Sequence, residues 1–236
     1  MASDKCLVCG EQLRSPSWCI SCEAEVFNRQ KWSSGSTRID RMIKSIHARN
    51  NGIYLEWIPF EDIDMVEYKT RGPFSIVYSG LWLDGPRQWD ETNGDWHRMG
   101  PTKCALKRVE NFDQMSQEDL NNIIRHSQCF RGSFVVECFG ITRNPVDPVG
   151  CYMFVMELGE ENLYQYIDRV REYICWGEIV EILREIVKGL GRIHENDGLY
   201  HGNLHGGNLL IENTSGSVSI KISDIGLHGP INRTAA

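Results

Sequence analysis

The chain lacks any apolar run approaching the ~18 residues that a membrane span needs. Its N-terminus, MASDKCLVCG, has no apolar core of the kind that marks a secretory signal. It also lacks a surplus of positive charge. Twenty-five Lys and Arg stand against 32 Asp and Glu, a net charge of −7. The first 50 residues hold eight Lys/Arg and five Asp/Glu, so the acidic excess lies in the remainder. That balance argues against broad electrostatic binding to nucleic acid. There is no internal repeat and no low-complexity tract. These absences lead to the expectation of a protein in a reducing cytoplasmic compartment, with neither nucleic acid nor membrane as partner.

What is present suits a folded protein. A chain of 236 residues holds one or two compact units with a sizeable core. Hydrophobic residues make up 41% and charged residues 24%, both in the ordinary range for a soluble fold.

The nine cysteines divide into two groups. Cys6, Cys9, Cys19 and Cys22 form C-x2-C-x9-C-x2-C. Each C-x2-C turn can place two thiolates on one side of an ion, so the four predict a tetrahedral structural zinc. The short intervening loop suggests a small knuckle over residues 1–27. Four protein ligands leave no open position for catalysis. Free thiols and two disulfides are the alternatives, and the missing secretion signal disfavours disulfides. Cys104, Cys129, Cys138, Cys151 and Cys175 are scattered and read as core or surface fillers.

Residues 28–57 read as a linker with a short helix. Ile39, Met42, Ile43 and Ile46 recur at i, i+3, i+4 and i+7. Such a stripe either docks a partner or lies against the next domain, and the second reading is preferred. NNG at 50–52 supplies turn chemistry. From about residue 58 the pattern alternates. VEYKTRGPFSIVYSGLWLDG predicts a β-hairpin, followed by a long polar loop with Trp89 and Trp96. KCALKRV, FVVECFGITRN and VGCYMFVMELG predict strands, and NFDQMSQEDLNNIIRHSQCF a turn and a helix. Leu163, Tyr166 and Ile167 suit a short helix. Ile179, Ile182, Leu183, Ile186, Val187, Leu190 and Ile193 predict a long helix with one apolar stripe. LLIE and SVSIKIS predict two last strands. The fold class is therefore α+β.

One segment carries chemistry. HGNLHGGN, from His201 to Asn208, resembles the protein-kinase catalytic loop H-R-D-x-x-x-x-N. In that loop an aspartate accepts the substrate hydroxyl's proton and the last asparagine holds magnesium. Other kinase-like motifs follow in register. CALK, 104–107, resembles the V-A-I-K strand, with Ala105 lining the nucleotide and Lys107 as the phosphate-binding lysine. Met156-Glu157-Leu158-Gly159 resembles a gatekeeper and hinge, so Met156 and Leu158 join the candidate nucleotide site. Asp224-Ile225-Gly226 resembles D-F-G, with Asp224 as a magnesium ligand alongside Asn208. The phosphate loop G-x-G-x-x-G-x-V aligns on Thr70, Gly72, Phe74, Ser75 and Val77.

The whole chain resembles the kinase-like proteins expanded in arbuscular-mycorrhizal fungi. Those carry a C-x2-C…W-C-x2-C knuckle, W-x-S-G…I-D and E-W-I-P segments, and H-R-D-F-H-x-G-N. Here stand Trp18-Cys19, WSSG at 32–35, Ile39-Asp40, EWIP at 56–59, His205 and Gly207-Asn208. The resemblance implies a two-lobed protein-kinase-like fold, with a small lobe over about 58–156 and a partial large lobe over about 157–236. It implies ATP and magnesium as cofactors and phosphoryl transfer to protein hydroxyls in intact members.

The departures point the other way. The base position is Asn203, and an amide does not accept the proton. The glutamate expected to pair with Lys107 is Asn122. The catalytic-loop arginine is Gly202, and the D-F-G phenylalanine is Ile225. Only Gly72 survives in the phosphate loop, where Thr70, Pro73 and Ser75 hinder close backbone approach to phosphate. His205 matches a histidine of intact relatives and needs no rescue role as a base. No A-P-E motif follows DIGLHGPINRTAA, so the large lobe is expected to be incomplete. The expectation is a zinc-knuckle pseudokinase acting as a scaffold or decoy for a protein partner, such as an active relative, with weak ATP binding. The alternative is an active kinase of low activity. A fragment that does not fold alone is a third reading.

Overall fold

The computed structural model describes residues 5–6, 8–12, 19, 21–22, 32–49, 55–72, 75–90, 92, 95–109, 112, 115–126, 134–146, 151–170, 173–195, 199–214 and 217–224. It is a mixed α+β structure that divides into two compact units. The first comprises Met1–Thr70, Val77–Arg108 and Phe139–Val155, and the second Arg71–Ile76, Val109–Cys138 and Met156–Ala236. No helix among the described residues is long and apolar enough to cross a membrane. NNG at 50–52, Pro73, Phe74, Cys129, Ile225 and Gly226 lie outside the described residues.

The first unit is rich in sheet. Its long helix α1 (Thr37–Arg49) buries Ile39, Met42, Ile43 and Ile46, the whole predicted stripe. Burial of each such side chain stabilises by about 1.5–3 kcal/mol. The helix thus lies against the fold. The WSSG…ID spacing acquires a cause at its start. Asp40 accepts from the Ser34 amide at 2.9 Å and from the Ser33 hydroxyl at 3.0 Å, which pins the incoming chain over the first turn. Tyr152 then donates to the Ser34 carbonyl at 3.0 Å, tying that turn to a sheet strand.

The strands are β1 (Glu56–Trp57), β2 (Ile63–Arg71), β3 (Ser75–Trp82), β4 (Arg87–Asp90), β5 (Asp95–Arg98), β6 (Thr102–Val109), β7 (Cys138–Arg143) and β8 (Tyr152–Glu157). Six of them form one sheet in the order β1-β7-β8-β6-β3-β2. The EWIP segment enters as β1, parallel to β7, with Glu56 opposite Gly140. A Cβ on Gly140 would stand 2.3 Å from the Glu56 carbonyl oxygen, so only glycine allows this approach. Ile58, Ile63, Trp82, Cys104, Leu106, Met153 and Val155 form the core of the unit.

The predicted polar loop with Trp89 and Trp96 is instead the antiparallel hairpin β4–β5. Trp89 lies opposite Trp96, with ring centroids 5.6 Å apart and edge to face, and the Arg87 guanidinium lies 5.1 Å above Trp96. Such cross-strand aromatic pairs stabilise a hairpin whose composition is otherwise polar.

The second unit holds α2 (Gln117–His126), α3 (Leu163–Val170), α4 (Trp176–His194) and strands β9 (Glu161–Asn162), β10 (Leu209–Thr214) and β11 (Ser217–Ile222). Ser116 caps α2. Its hydroxyl accepts from the Asp119 amide at 3.1 Å, and the Asp119 carboxylate accepts from the Ser116 amide at 2.8 Å. The strands form a small sheet in the order β11-β10-β9. Val135, Tyr166, Ile182, Ile193, Leu199, Leu209, Ile211, Ile220 and Ile222 make its core. The predicted single stripe of α4 is divided. Ile182 and Ile193 are buried, and Ile186 and Leu190 pack against that core, while Leu183 and Val187 face solvent.

Two constraints in the first unit are testable. Glu56 is buried, 6% exposed, and pairs with Arg98, whose Nη1 lies 2.8 Å from Oε1. Arg98 also donates to the Gly85 carbonyl at 3.0 Å and lies over Trp82. Arg98→Met takes the guanidinium away from a buried carboxylate and is expected to cost about 3 kcal/mol. In urea titrations, the double variant Glu56→Gln/Arg98→Met should lose less than Arg98→Met alone.

The second constraint is His47, which meets the Leu55 carbonyl at 2.6 Å. A carbonyl only accepts, so Nε2 carries the proton and donates. Burial, helped by the charge of Arg87, lowers the His47 pKa to about 4, although the Leu55 bond opposes it. Between that value and the unfolded value of about 6.5, only the unfolded chain takes up the proton. The contribution is therefore complete above about pH 6.5 and is lost as pH falls toward about 4, to the extent of roughly 3 kcal/mol. Comparing urea stability against pH for the parent and His47→Gln, which keeps a donor, should show the parent falling more steeply in that window.

Candidate functional site

The four N-terminal cysteines are gathered as the spacing predicts. Their sulfurs all lie within 4.8 Å of one another, with Cys6–Cys22 at 3.7 Å and Cys9–Cys19 at 3.3 Å. Tetrahedral zinc with Zn–S near 2.3 Å requires sulfurs about 3.8 Å apart. A disulfide requires about 2.05 Å. The donor set and its spacing fit a metal ion held by thiolates. A local hairpin shapes the first pair. Cys6 and Glu11 are bonded at 2.8 Å, and the Gly10 amide donates to the Cys6 carbonyl at 2.9 Å. Backbone amides of Cys9 and Val8 aimed at the Cys6 sulfur lower its pKa to about 6, while burial pushes the Cys22 thiol up.

The second cluster lies in the second unit. His201 is buried, 3% exposed. Its Nδ1 accepts from the Asn203 amide at 3.2 Å, so Nε2 carries the proton and donates to the Ser223 carbonyl at 2.7 Å. The Asn208 side chain donates through Nδ2 to the Asn203 carbonyl at 2.9 Å, which leaves its Oδ1 as the end suited to a cation. Ser223 donates through its amide to the Asn208 carbonyl at 2.8 Å. These bonds bring His201, Asn203 and Asn208 together. Asp224 follows Ser223 directly and is thereby set beside the loop, in a left-handed conformation with φ of 72°. Gly202 also has positive φ, 76°, so glycine at the arginine position removes backbone strain along with the cation. His205 is occupied structurally. Its Nδ1 accepts from the Gly207 amide at 3.1 Å, and its ring stacks on Tyr164.

The hinge candidates belong to the same unit. Met156 is buried and Leu158 half-buried. The Glu157 amide donates to the Glu137 carbonyl at 2.9 Å, and its carboxylate receives Lys221. Lys221 also meets Glu212 at 3.0 Å. Burial disfavours the Lys221 ammonium, but the two carboxylates outweigh it and raise the pKa. Neither Lys221 nor Ser223 stood out in the sequence. Both occupy ordinary polar positions of an alternating strand, and only pairing reveals their partners.

The remaining candidates are placed separately. Val77 on β3 and Ala105 and Lys107 on β6 belong to the first unit, on neighbouring strands. Lys107 is 7% exposed, a buried cation on a central strand. Gly72 belongs to the second unit, and its amide donates to the Ser75 carbonyl at 2.8 Å, closing the hairpin between β2 and β3. That amide is committed to the turn. Asn122 falls within α2, and its side chain lies outside the described residues.

The family model for the protein kinase domain matches residues 96–236. No curated protein gives a significant match.

The metal reading has a direct measurement. Protein purified without added zinc is expected to carry about one zinc per chain by elemental analysis. Chelation should lower its melting temperature, and Cys22→Ser should reduce the zinc content. A zinc content near zero, with all four thiols reactive, would exclude the metal.

Proposed function

Because the chain belongs to the protein kinase domain family, we propose that it is a catalytically impaired member, a pseudokinase that acts by binding another protein. The observation that carries this reading is the loop at 201–208. Its framework is kept, with Asn208 and His201 holding residue 203 through the main chain. The side chain at 203 is an amide, which does not accept the substrate hydroxyl's proton. A positioned general base contributes about 10²–10⁴ in rate. The position where the resemblance expects a glutamate is Asn122, and an amide carries no charge for an ion pair. The altered phosphate loop and the Gly72 amide closing a turn add to the loss.

By the resemblance, Lys107 would hold nucleotide phosphates, and Asn208 and Asp224 magnesium. Magnesium, when bound, supplies charge neutralisation of the phosphates. In this reading the kinase-like domain begins upstream of the matched residues, near residue 58, so that the β2–β3 hairpin serves as its phosphate loop. The resemblance to the fungal kinase-like proteins suggests an active relative as the binding partner, in the cytoplasm, with the cysteine knuckle as a structural zinc unit.

The second reading, an active kinase of low activity, is favoured by the intact Asn208 and Ser223 framework. Turnover separates the two. The parent chain is expected to show no phosphotransfer above background with magnesium- or manganese-ATP on a generic protein substrate. Asn203→Asp alone should not restore it, since losses within one assembled site do not add independently. ATP binding, measured alongside, should fall in the high micromolar range, on the order of 100 µM or weaker. Robust turnover by the parent, abolished by Lys107→Ala, establishes the second reading instead.

A further inference from the structure

The candidate hinge residues are seated on the outer face of the small sheet in the second unit. The chain passes into that unit at Met156. Glu157 follows, and its carboxylate receives Lys221 of β11. Two residues on, Gly159 lies so close to β10 that a Cβ on it would stand 3.0 Å from the Leu210 Cβ. Leu210 and Lys221 are themselves directly opposite each other in the β10–β11 ladder. The stretch 157–159 therefore rests on one cross-strand pair, by an ion pair at one end and a close packing contact at the other. Strand alternation makes that pair available. Ile211, Ile220 and Ile222 belong to the buried core, so Leu210 and Lys221 stand on the opposite face.

We infer that Lys221 is a positioning residue for the base of a bound nucleotide, acting through Glu157 on the main chain at 156–158. The role rests on the nucleotide site proposed above. An adenine edge offers an amino donor beside a ring-nitrogen acceptor. Main-chain carbonyl and amide groups match that pattern only when their orientation is fixed before the ligand arrives.

Charge gives Lys221 this role. Glu212 also meets its ammonium, at 3.0 Å, so one cation stands between two carboxylates. The Lys221, Glu157 and Glu212 side chains are 18%, 26% and 33% exposed, so solvent screens them only in part. With the ammonium gone, the two like charges repel and drive Glu157 off its seat. The bonds to Glu137 fix a different point. The Glu157 amide donates to the Glu137 carbonyl at 2.9 Å, and its second carboxylate oxygen receives the Glu137 amide at 3.3 Å. They tie the end of β8 to the stretch 134–137, which is bonded in turn to Ile222 through the Val136 amide at 3.0 Å and the Phe134 carbonyl at 2.8 Å. Lys221 adds the tie to the outer face of β10–β11, where Gly159 also rests.

Equilibrium titrations of the full chain with magnesium-ATP and magnesium-inosine triphosphate test this. Inosine has an oxygen in place of the 6-amino group, and its neighbouring ring nitrogen carries a proton, so it inverts the pattern that adenine presents. The parent is expected to bind ATP about tenfold more tightly than the inosine nucleotide. Lys221→Met should bind ATP about as weakly as inosine triphosphate, with affinity for the latter unchanged. Lys221→Arg, whose fork reaches both carboxylates, should keep the parent's preference. Melting temperatures establish that each variant is folded. Glu157→Gln, which keeps the shape of the side chain without its charge, is the second variant and should narrow the preference in the same direction. A preference unchanged in Lys221→Met overturns the inference, and if that variant does not fold, a preference unchanged in Glu157→Gln does so. Equal weakening of both nucleotides also overturns it, because that marks general destabilisation. A parent that binds the two nucleotides equally overturns the positioning role and leaves nucleotide binding standing. A parent that binds neither overturns both.

Discussion

The catalytic-loop region depends on one buried, neutral imidazole. His201 accepts from the Asn203 amide and donates to the Ser223 carbonyl, so it joins the loop to the end of β11. Asn208 closes the circuit by bonding the Asn203 carbonyl and receiving the Ser223 amide. Every bond to residue 203 in this framework uses its main chain. The side chain at 203 contributes nothing to the framework, so aspartate can become asparagine without cost to it. Framework and side-chain chemistry are separable at this position.

A comparable division runs through the first unit. Its apolar core is formed by strand residues such as Leu106 and Val155, but its edges are tied by polar groups. Asp40 gathers Ser33 and Ser34, Tyr152 reaches the Ser34 carbonyl, and Arg98 closes over Glu56. The first is local in sequence, whereas the Tyr152 and Arg98 bonds join residues far apart along the chain. They hold α1 and the EWIP segment to the sheet, and they explain why those short motifs carry polar residues at fixed places. Buried ionic partners of this kind add little net stability when complete, but each is costly to lose singly.

Helix α4 illustrates how one element serves two environments. One apolar row, through Ile182 and Ile193, is buried, while the adjoining Val180, Leu183 and Val187 stay exposed. An apolar row left on a surface marks either an interaction or a liability to aggregation.

The sequence alone determined the clustering of the four N-terminal cysteines, most of the strand and helix order, and the kinase-like pattern of the loop at 201–208. Those depend on spacing and periodicity, which are properties of neighbours along the chain. Cys6, Cys9, Cys19 and Cys22 were legible because two short turns place their thiolates, and α1 was legible because its stripe has one face. Tertiary structure decided the rest. Trp89 and Trp96 make a hairpin only because each ring finds the other across two strands. The apolar positions of α4 divide because just one side of the helix meets the β10–β11 sheet. Lys221 and Ser223 acquired roles through partners distant along the chain, Glu157 and His201. Hydrogen bonds and ion pairs are made across space, and a local pattern carries no record of the partner until the chain has folded.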